Sequence, residues 1–300
     1  MKHILYIAIC FSLLSCNSKA YLFTSFHEPA NEGLRLLYSY DGYKWKDLGK
    51  TYIHPEVGIQ KVMRDPSMVQ GPDGEFHLVW TSSWKDDKGF GYAHSKDLIH
   101  WSEQQFLPVM EHEPGTVNVW APEIFYDDAG KQYIIVWAST IPFRFEKGIE
   151  PDSNNHRLYY TATKDFKNVP AGKLFLDPKF SVIDAEIVKR AKDDYVLVLK
   201  DNTRPNRNIK VAFSNKAEGP YANVSEPFTG SFTEGPSVAK VKGGWLIYFD
   251  AYREKKYGAV FTKDFKTFAK ADSLVSVPEG HKHGTVLMVP KKILKQLLKQ

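Results

Sequence analysis

Cysteine is almost absent: the 300 residues contain two, Cys10 and Cys16, both near the start. From position 17 onward no disulfide can form, so the core must hold by packing alone. Long apolar runs are also scarce. The run at residues 4–14 follows Lys2 and His3 and is too short to cross a bilayer as a mature helix. No basic stripe is concentrated on one motif, and a net charge of +5 is small for this length, which argues against a nucleic-acid partner. No grouping of His, Asp and Glu at metal-ligand spacing stands out.

The short apolar run reads instead as an export signal. It ends in Leu13-Leu14-Ser15-Cys16, which resembles a bacterial lipobox and implies cleavage before Cys16 with lipid on its thiol. The alternative is an ordinary secretory signal with a chance cysteine. The resulting expectation is a lipoprotein signal peptide at 1–15, a tether at 16–19 and one catalytic domain over 20–300. The protein would then be exported, periplasmic or on the outer membrane of a bacterium, touching the membrane only through its lipid. The basic and apolar tail at 291–299 reads as a short helix packed on the domain.

Strand signals and aromatics are what the chain has in quantity. Aromatic residues make up 14%, with seven Trp and sixteen Tyr, which suits both strands and sugar-stacking surfaces. Five similar openings recur: Arg64-Asp65-Pro66-Ser67-Met68, Trp120-Ala121-Pro122-Glu123-Ile124, Val182-Ile183-Asp184-Ala185-Glu186, Thr233-Glu234-Gly235-Pro236-Ser237 and Lys282-His283-Gly284-Thr285-Val286. A second theme accompanies them, a tight turn seen as Ser39-Tyr40-Asp41-Gly42, Ser95-Lys96-Asp97-Leu98, Thr163-Lys164-Asp165-Phe166 and Thr262-Lys263-Asp264-Phe265, and more weakly at Ser214-Asn215-Lys216. A repeat of roughly 50–70 residues built almost wholly of strand and turn is a propeller signature.

The predicted fold is therefore all-β, a five-bladed β-propeller. Four blades open at Asp65, Ala121, Asp184 and Glu234. The fifth is split: residues 283–289 supply its inner strand and residues 20–48 the rest, which closes the ring and leaves no free sheet edge. The polar stretches 142–155 and 201–208 read as loops over one face.

In a propeller the inner strands of all blades face one axis, so Asp65, Asp184 and Glu234 converge although they are far apart in sequence. Converging carboxylates are what glycoside hydrolysis needs. Inversion uses one as a general base on water and another, protonated, as a general acid on the leaving oxygen. A third nearby raises the pKa of the acid by like-charge repulsion. Taken singly, Asp65 before Pro66 reads as a turn residue, Glu234-Gly235-Pro236 as a surface turn, and Asp184 has no distinguishing neighbour. Their shared placement is what joins them.

The motifs Arg-Asp-Pro-Ser at 64–67, Trp-Ala-Pro-Glu at 120–123, Ile-Asp at 183–184, Glu-Gly-Pro-Ser at 234–237 and His-Gly-Thr at 283–285 resemble glycoside hydrolase family 43, in order and over nearly the whole mature chain. That resemblance implies a five-bladed propeller acting on arabinose- or xylose-containing glycans. It matches Asp65 to the general base, Asp184 to the residue that tunes the acid and positions substrate, and Glu234 to the general acid. It matches His283 to a central histidine that in some members helps hold a cation through waters. Cleavage itself calls for no cofactor, which leaves a structural cation such as Ca2+ at the axis as an addition. The family often has Asp where Glu123 stands, a departure outside the three matched acids.

The further substrate-binding candidates are Arg64, Trp120, Glu123 and Arg253, with Trp84, Phe143 and Arg144 behind them. Glu123 has two readings, rimming the pocket or pairing with Arg64. The expected activity is an inverting hydrolase that removes terminal pentose or furanose residues (arabinofuranoside, xyloside or galactofuranoside) from an oligo- or polysaccharide, as a monomer. The rivals are a propeller lipoprotein that binds glycan without cleaving it, and a sialidase-type glycosidase. The latter would need an arginine cluster that the openings do not supply.

Overall fold

The computed structural model describes residues 19–300. The predicted signal, Cys16 and most of the predicted tether lie outside the described residues, and Lys19 already pairs with Pro290 in a sheet. The chain starts with three strands, β1 (Lys19–Ser25), β2 (Arg35–Ser39) and β3 (Lys46–Thr51). Four inner strands then open successive sheets. β4 (Arg64–Gln70) leads to β5 (Phe76–Thr81), β6 (Phe90–Ser95) and β7 (Gln105–Leu107), and β8 (Trp120–Asp127) to β9 (Gln132–Ser139), β10 (Arg157–Thr163) and β11 (Lys173–Leu176). β12 (Val182–Ala191) leads to β13 (Asp194–Asp201) and β14 (Asn208–Ser214), and β15 (Thr233–Val241) to β16 (Gly244–Ala251), β17 (Lys256–Thr262) and β18 (Ala269–Lys270).

Last comes β19 (Val286–Pro290), which pairs antiparallel with β1, so the first and last strands share a sheet in the order β19-β1-β2-β3. The five sheets are the five blades, and the ring closes as the sequence predicts. One boundary differs. His283 and Gly284 lie ahead of β19, because the Thr285 amide donates to the Thr24 hydroxyl at 2.8 Å rather than to a carbonyl of β1. Gly284 fits there because a Cβ would stand 1.8 Å from the carbonyl oxygen of Thr24.

Alternation along the second strand of each blade explains why these sequences stack. Leu78 and Trp80 of β5 face the split blade, whereas Val79 faces β9. On β9, Ile135 and Trp137 face back to the first blade while Ile134, Val136 and Ala138 face β13. β13 and β16 repeat the scheme, Val196 and Val198 meeting Ile247 and Phe249, and Leu246 and Tyr248 meeting Phe23 and Trp45. Five apolar clusters thus fill five blade interfaces. Trp80 and Trp137 are fully buried in them, and truncating either to Ala would cost about 3–5 kcal/mol. The last element, α1 (Lys291–Leu297), lays Ile293, Leu294 and Leu297 on the closing interface, as the tail pattern suggests.

The repeated turn has a physical basis. Asp41, Asp97, Asp165 and Asp264 each accept two backbone amides from the residues two and three positions on. The preceding Ser or Thr hydroxyl accepts the amide of Gly42, Leu98, Phe166 or Phe265, all at positive φ. Short polar side chains therefore define each outer turn, and Leu98, Phe166 and Phe265 anchor three of them in the core.

Candidate active site

Each of the four complete inner strands begins with a β-bulge. Register slips between Arg64 and Ser67, Trp120 and Glu123, Ile183 and Glu186, and Glu234 and Ser237. The residue at the bend is left-handed every time: Asp65 (φ 49°), Ala121 (47°), Asp184 (50°) and Gly235 (56°). For a non-glycine residue that conformation costs roughly 1–3 kcal/mol, and such strain gathers where a side chain must be aimed. Asp65 and Asp184 thus occupy equivalent sites. Glu234 stands one residue earlier, where the other blades have Arg64, Trp120 and Ile183. Gly235 takes the bend because a Cβ there would come 2.6 Å from the His283 ring.

Asp65, Asp184 and Glu234 all line one cavity of about 470 Å3, together with Arg64, Trp120 and His283. That size suits a small ligand. Asp65 Oδ2 accepts the Thr81 hydroxyl at 3.0 Å, and its Oδ1 lies 3.3 Å from His283 Nδ1. Burial pushes the Asp65 carboxyl up, but the His283 hydrogen bond and charge, with Arg64 and Thr81, outweigh it and hold the pKa below its ordinary value. Asp184 goes the other way. Its Oδ2 accepts the Gly235 amide at 3.1 Å, yet burial, helped by the charges of Glu234 and Asp65, raises its pKa against His283 and Lys200. Two aspartates at matching bulges are thereby pushed in opposite directions.

Glu234 Oε2 accepts a hydrogen bond from Lys200 Nζ at 2.7 Å, and the lysine side chain is 3% exposed. Oε1 of Glu234 has no hydrogen-bond partner among the described residues. Burial works against the Lys200 charge, but Glu234 and Asp184 together raise its pKa above the ordinary value. Sequence reading missed Lys200, since a lysine near the end of a central strand carries no mark of the acid 34 residues on.

The aromatic wall is built by Trp84 and Trp120, packed edge to face at 5.6 Å, with the Trp120 indole N–H donating to the Trp84 carbonyl at 2.7 Å. The Arg64 guanidinium lies 3.9 Å from the Trp84 ring centre and pairs with Glu28 at 2.7 Å. Behind Trp120 stands the fully buried His156, kept neutral by burial, which lowers its pKa to about 3.

Several predicted site residues lie elsewhere. Glu123 does not rim the cavity and does not pair with Arg64. It is buried, accepts the Thr285 hydroxyl at 3.1 Å, and is pushed up to about 7 by burial, with Asp184 adding and His283, Ser67 and Thr285 opposing. The bulge turns Ser67, Glu123, Glu186 and Ser237 inward as a layer that ties blades together: the Ile124 amide donates to Ser67, Val238 to Glu186 and Val286 to Ser237. Arg253 is not among the residues lining the cavity and stacks on Phe232 instead. Phe143 is 86% exposed, and Arg144 is paired with Glu113.

His283 lines the cavity. Burial opposes its charge, yet the Asp65 hydrogen bond and the charges of Asp184, Asp65 and Glu123 lift its pKa to about 9. Among the described residues one grouping of ligand types does exist, against the sequence expectation: Asp73, Glu75 and His77, at the other end of β4 and β5 from Asp65. Both His77 ring nitrogens are already engaged, by the Tyr92 hydroxyl at 2.9 Å and the Tyr133 hydroxyl at 3.0 Å.

The loops over the cavity are clipped together. Glu150, buried in the 142–155 loop, accepts the Arg204 backbone amide at 2.7 Å and its guanidinium at 3.1 Å. This fixes the 201–208 loop, which presents Asn202 and Arg207 to the cavity beside Asn154. Lys282 pairs with Asp250 at 2.8 Å. Arg207 is thus the lining cation without an ion pair among the described residues, and its Nε is buried with no partner. Only the composition of that loop could have flagged it.

Among solved structures the chain resembles an endo-arabinase from Bacteroides thetaiotaomicron (TM-score 0.61, 15% identity, 82% of this chain and 89% of that one). It also resembles an endo-1,4-beta-xylanase from the same organism (TM-score 0.60, 14% identity, 90% and 94%) and an alpha-L-arabinofuranosidase from Clostridium thermocellum (TM-score 0.56, 16% identity, 88% and 92%). At these identities the likeness shows the propeller fold. No curated protein matches the sequence. A family model described as "Probable glycosyl hydrolase domain", of the family 43-related group, matches residues 17–294. With that match spanning all five blades, the chain belongs to the family 43-related glycosyl hydrolases and is a glycoside hydrolase acting on carbohydrate.

Proposed function

We propose that the chain is an inverting glycosidase that releases terminal pentose or furanose residues from an oligo- or polysaccharide. Asp65 takes a proton from the attacking water, Glu234 gives one to the leaving oxygen, and Asp184 orients the sugar and keeps negative charge beside the acid. The observation that carries this reading is the meeting of the three carboxylates on one cavity, with the Asp65 pKa held below its ordinary value. An ionised Asp65 is a competent base for water. Lys200 on Oε2 of Glu234 leaves Oε1 to carry the transferred proton. The edge-to-face pair of Trp84 and Trp120 offers aromatic surface to a sugar. Arg64 is engaged by Glu28 and Arg207 stands alone, so the arginine cluster of a sialidase-type site has no counterpart here.

The choice of sugar follows the names of the solved neighbours, an arabinofuranosidase, an arabinase and a xylanase. The test is release of 4-nitrophenol from a panel of aryl arabinofuranosides, xylosides and galactofuranosides by residues 17–300, with Glu234→Gln as control. Activity on one glycoside, lost in the control, supports the assignment. A folded but silent protein that still binds oligosaccharide would establish the non-cleaving alternative. Export and lipid attachment at Cys16 belong to the same proposal. Incorporation of labelled palmitate in a bacterial host, abolished in Cys16→Ser, is the expected result.

A further inference from the structure

A second cavity, of about 710 Å3, opens between the fourth blade and the split blade. It shares Glu28, Asp250, Tyr252 and Lys282 with the first, so the two cavities adjoin across these four side chains. We propose that this second cavity receives the leaving-group side of the glycan, a neutral sugar chain held through its hydroxyls. The proposal rests on the reading of Glu234 as the acid.

The register of the fourth blade gives the direction. Glu234 on β15 is paired with Asp250 on β16, and Asp250 with Tyr257 on β17. Residues directly opposite one another in neighbouring strands project to the same face. Glu234, Asp250 and Tyr257 therefore form a row that starts at the first cavity and ends in the second. A general acid must touch the leaving oxygen, so the departing part of the substrate starts beside Glu234. The row leads from there toward the second cavity.

The walls of the second cavity are short of hydrogen-bond partners. His27 Nε2 and the Tyr252 and Tyr257 hydroxyls are buried without one, and all three residues line it. Buried polar atoms are rarely left so, because each unmade bond costs about 1–3 kcal/mol. Sugar hydroxyls both donate and accept, so a chain seated in the cavity satisfies all three once side-chain rotation brings these covered atoms to its surface. The histidines here favour a neutral ligand. Burial lowers the His27 pKa and brings that of His281 down to about 4, so both rings are uncharged near neutrality. His281 is fixed by Ser25 Oγ at 3.1 Å and holds His27 edge-on at 4.4 Å. The Lys282 charge is matched by Asp250, that of Lys256 by Glu254 and that of Glu28 by Arg64, which leaves one lysine, Lys255, and one glutamate, Glu279, without an ion pair among the described residues and so no excess of either sign.

The test compares oligosaccharides of two to five residues with the 4-nitrophenyl glycoside of the same sugar, for wild type and for Tyr257→Phe and His27→Gln. The ratio of kcat/KM on oligosaccharide to kcat/KM on aryl glycoside should fall about fivefold to tenfold in each variant. The Tm of Tyr257→Phe should hold or rise, because the lost hydroxyl has no partner in the free protein. An unchanged ratio, or an equal fall on both substrates with a lowered Tm, would overturn the proposal. Were Glu234→Gln to keep its activity, the acid assignment would fail on its own. Calorimetric titration of wild type and Tyr257→Phe with the same oligosaccharides then decides the cavity: weaker binding by the variant upholds it and equal binding refutes it.

Discussion

His283 Nδ1 and Asp65 Oδ1 lie 3.3 Å apart, joining the approach to the last inner strand to the start of the first. The pair does two jobs, since the histidine charge both ties the ring at its closure and holds Asp65 ionised. The His283 pKa is raised from 6.5 to about 9 in the fold. A raised value means that the stabilisation is fully present below about pH 6.5 and is lost as pH climbs through about 9. Its size is about 3 kcal/mol. Denaturant unfolding at about pH 6 and about pH 9.5 should show that loss in the wild type and a much smaller one in His283→Gln. Equal losses would remove His283 as the titrating group.

Glu123 pulls stability in the same direction. Its pKa rises from 4.5 to about 7, chiefly through burial. Being raised, it favours the fold fully below about pH 4.5 and loses that contribution as pH passes about 7. Glu123→Gln should therefore flatten the decline in Tm between about pH 5 and pH 8. An unaltered profile would mean that another group, such as the neighbouring Glu186, governs it.

Asp65→Asn keeps the volume and the Thr81 contact but removes the base. We expect kcat/KM to fall by about 10²–10⁴-fold, with the circular dichroism spectrum unchanged. Near-normal turnover would sink the assignment of Asp65.

Arg207 should prove a substrate contact, although nothing in the motifs marks it. Losing a charged hydrogen bond of roughly 1.5–3 kcal/mol raises KM about tenfold or more. Arg207→Ala should do this with kcat little altered, and Arg207→Lys should recover part of the loss. Wild-type KM in both would show that the residue only fills the wall.

The Glu150–Arg204 clip is a structural device with a functional reading. Arg204→Ala leaves the buried Glu150 with the residue-204 amide and the Asn154 side chain but no counter-charge, at a cost of about 1–3 kcal/mol. Limited proteolysis should then cut the 201–208 loop faster, and KM should rise with it. A loop equally resistant in both proteins would show that the clip is dispensable.

Much of this was written locally. The five openings, the Ser/Thr-x-Asp turns and the alternation on strands such as β9 are short-range patterns. A turn that satisfies its own amides forms wherever its residues occur, and alternation fixes which side chains enter which interface. Asp65, Asp184 and Glu234 could be placed on one cavity because each stands at the start of an inner strand. Even the β-bulge that aims them sits at the same step of four openings.

What only the tertiary structure decided is which side chain each of them meets. Lys200 reaches Glu234 from the neighbouring blade. His283 becomes a cation because three carboxylates from other blades surround it. Glu123, expected at the rim, is drawn into the layer beneath, where Thr285 takes its hydrogen bond. These outcomes depend on contacts between residues tens to hundreds of positions apart, and on the burial that sets the strength of each charge. The sequence therefore determined a five-bladed ring with three acids at its centre. The packing of its blades decided which acid is held ionised, which is paired with a lysine, and where a second cavity opens beside them.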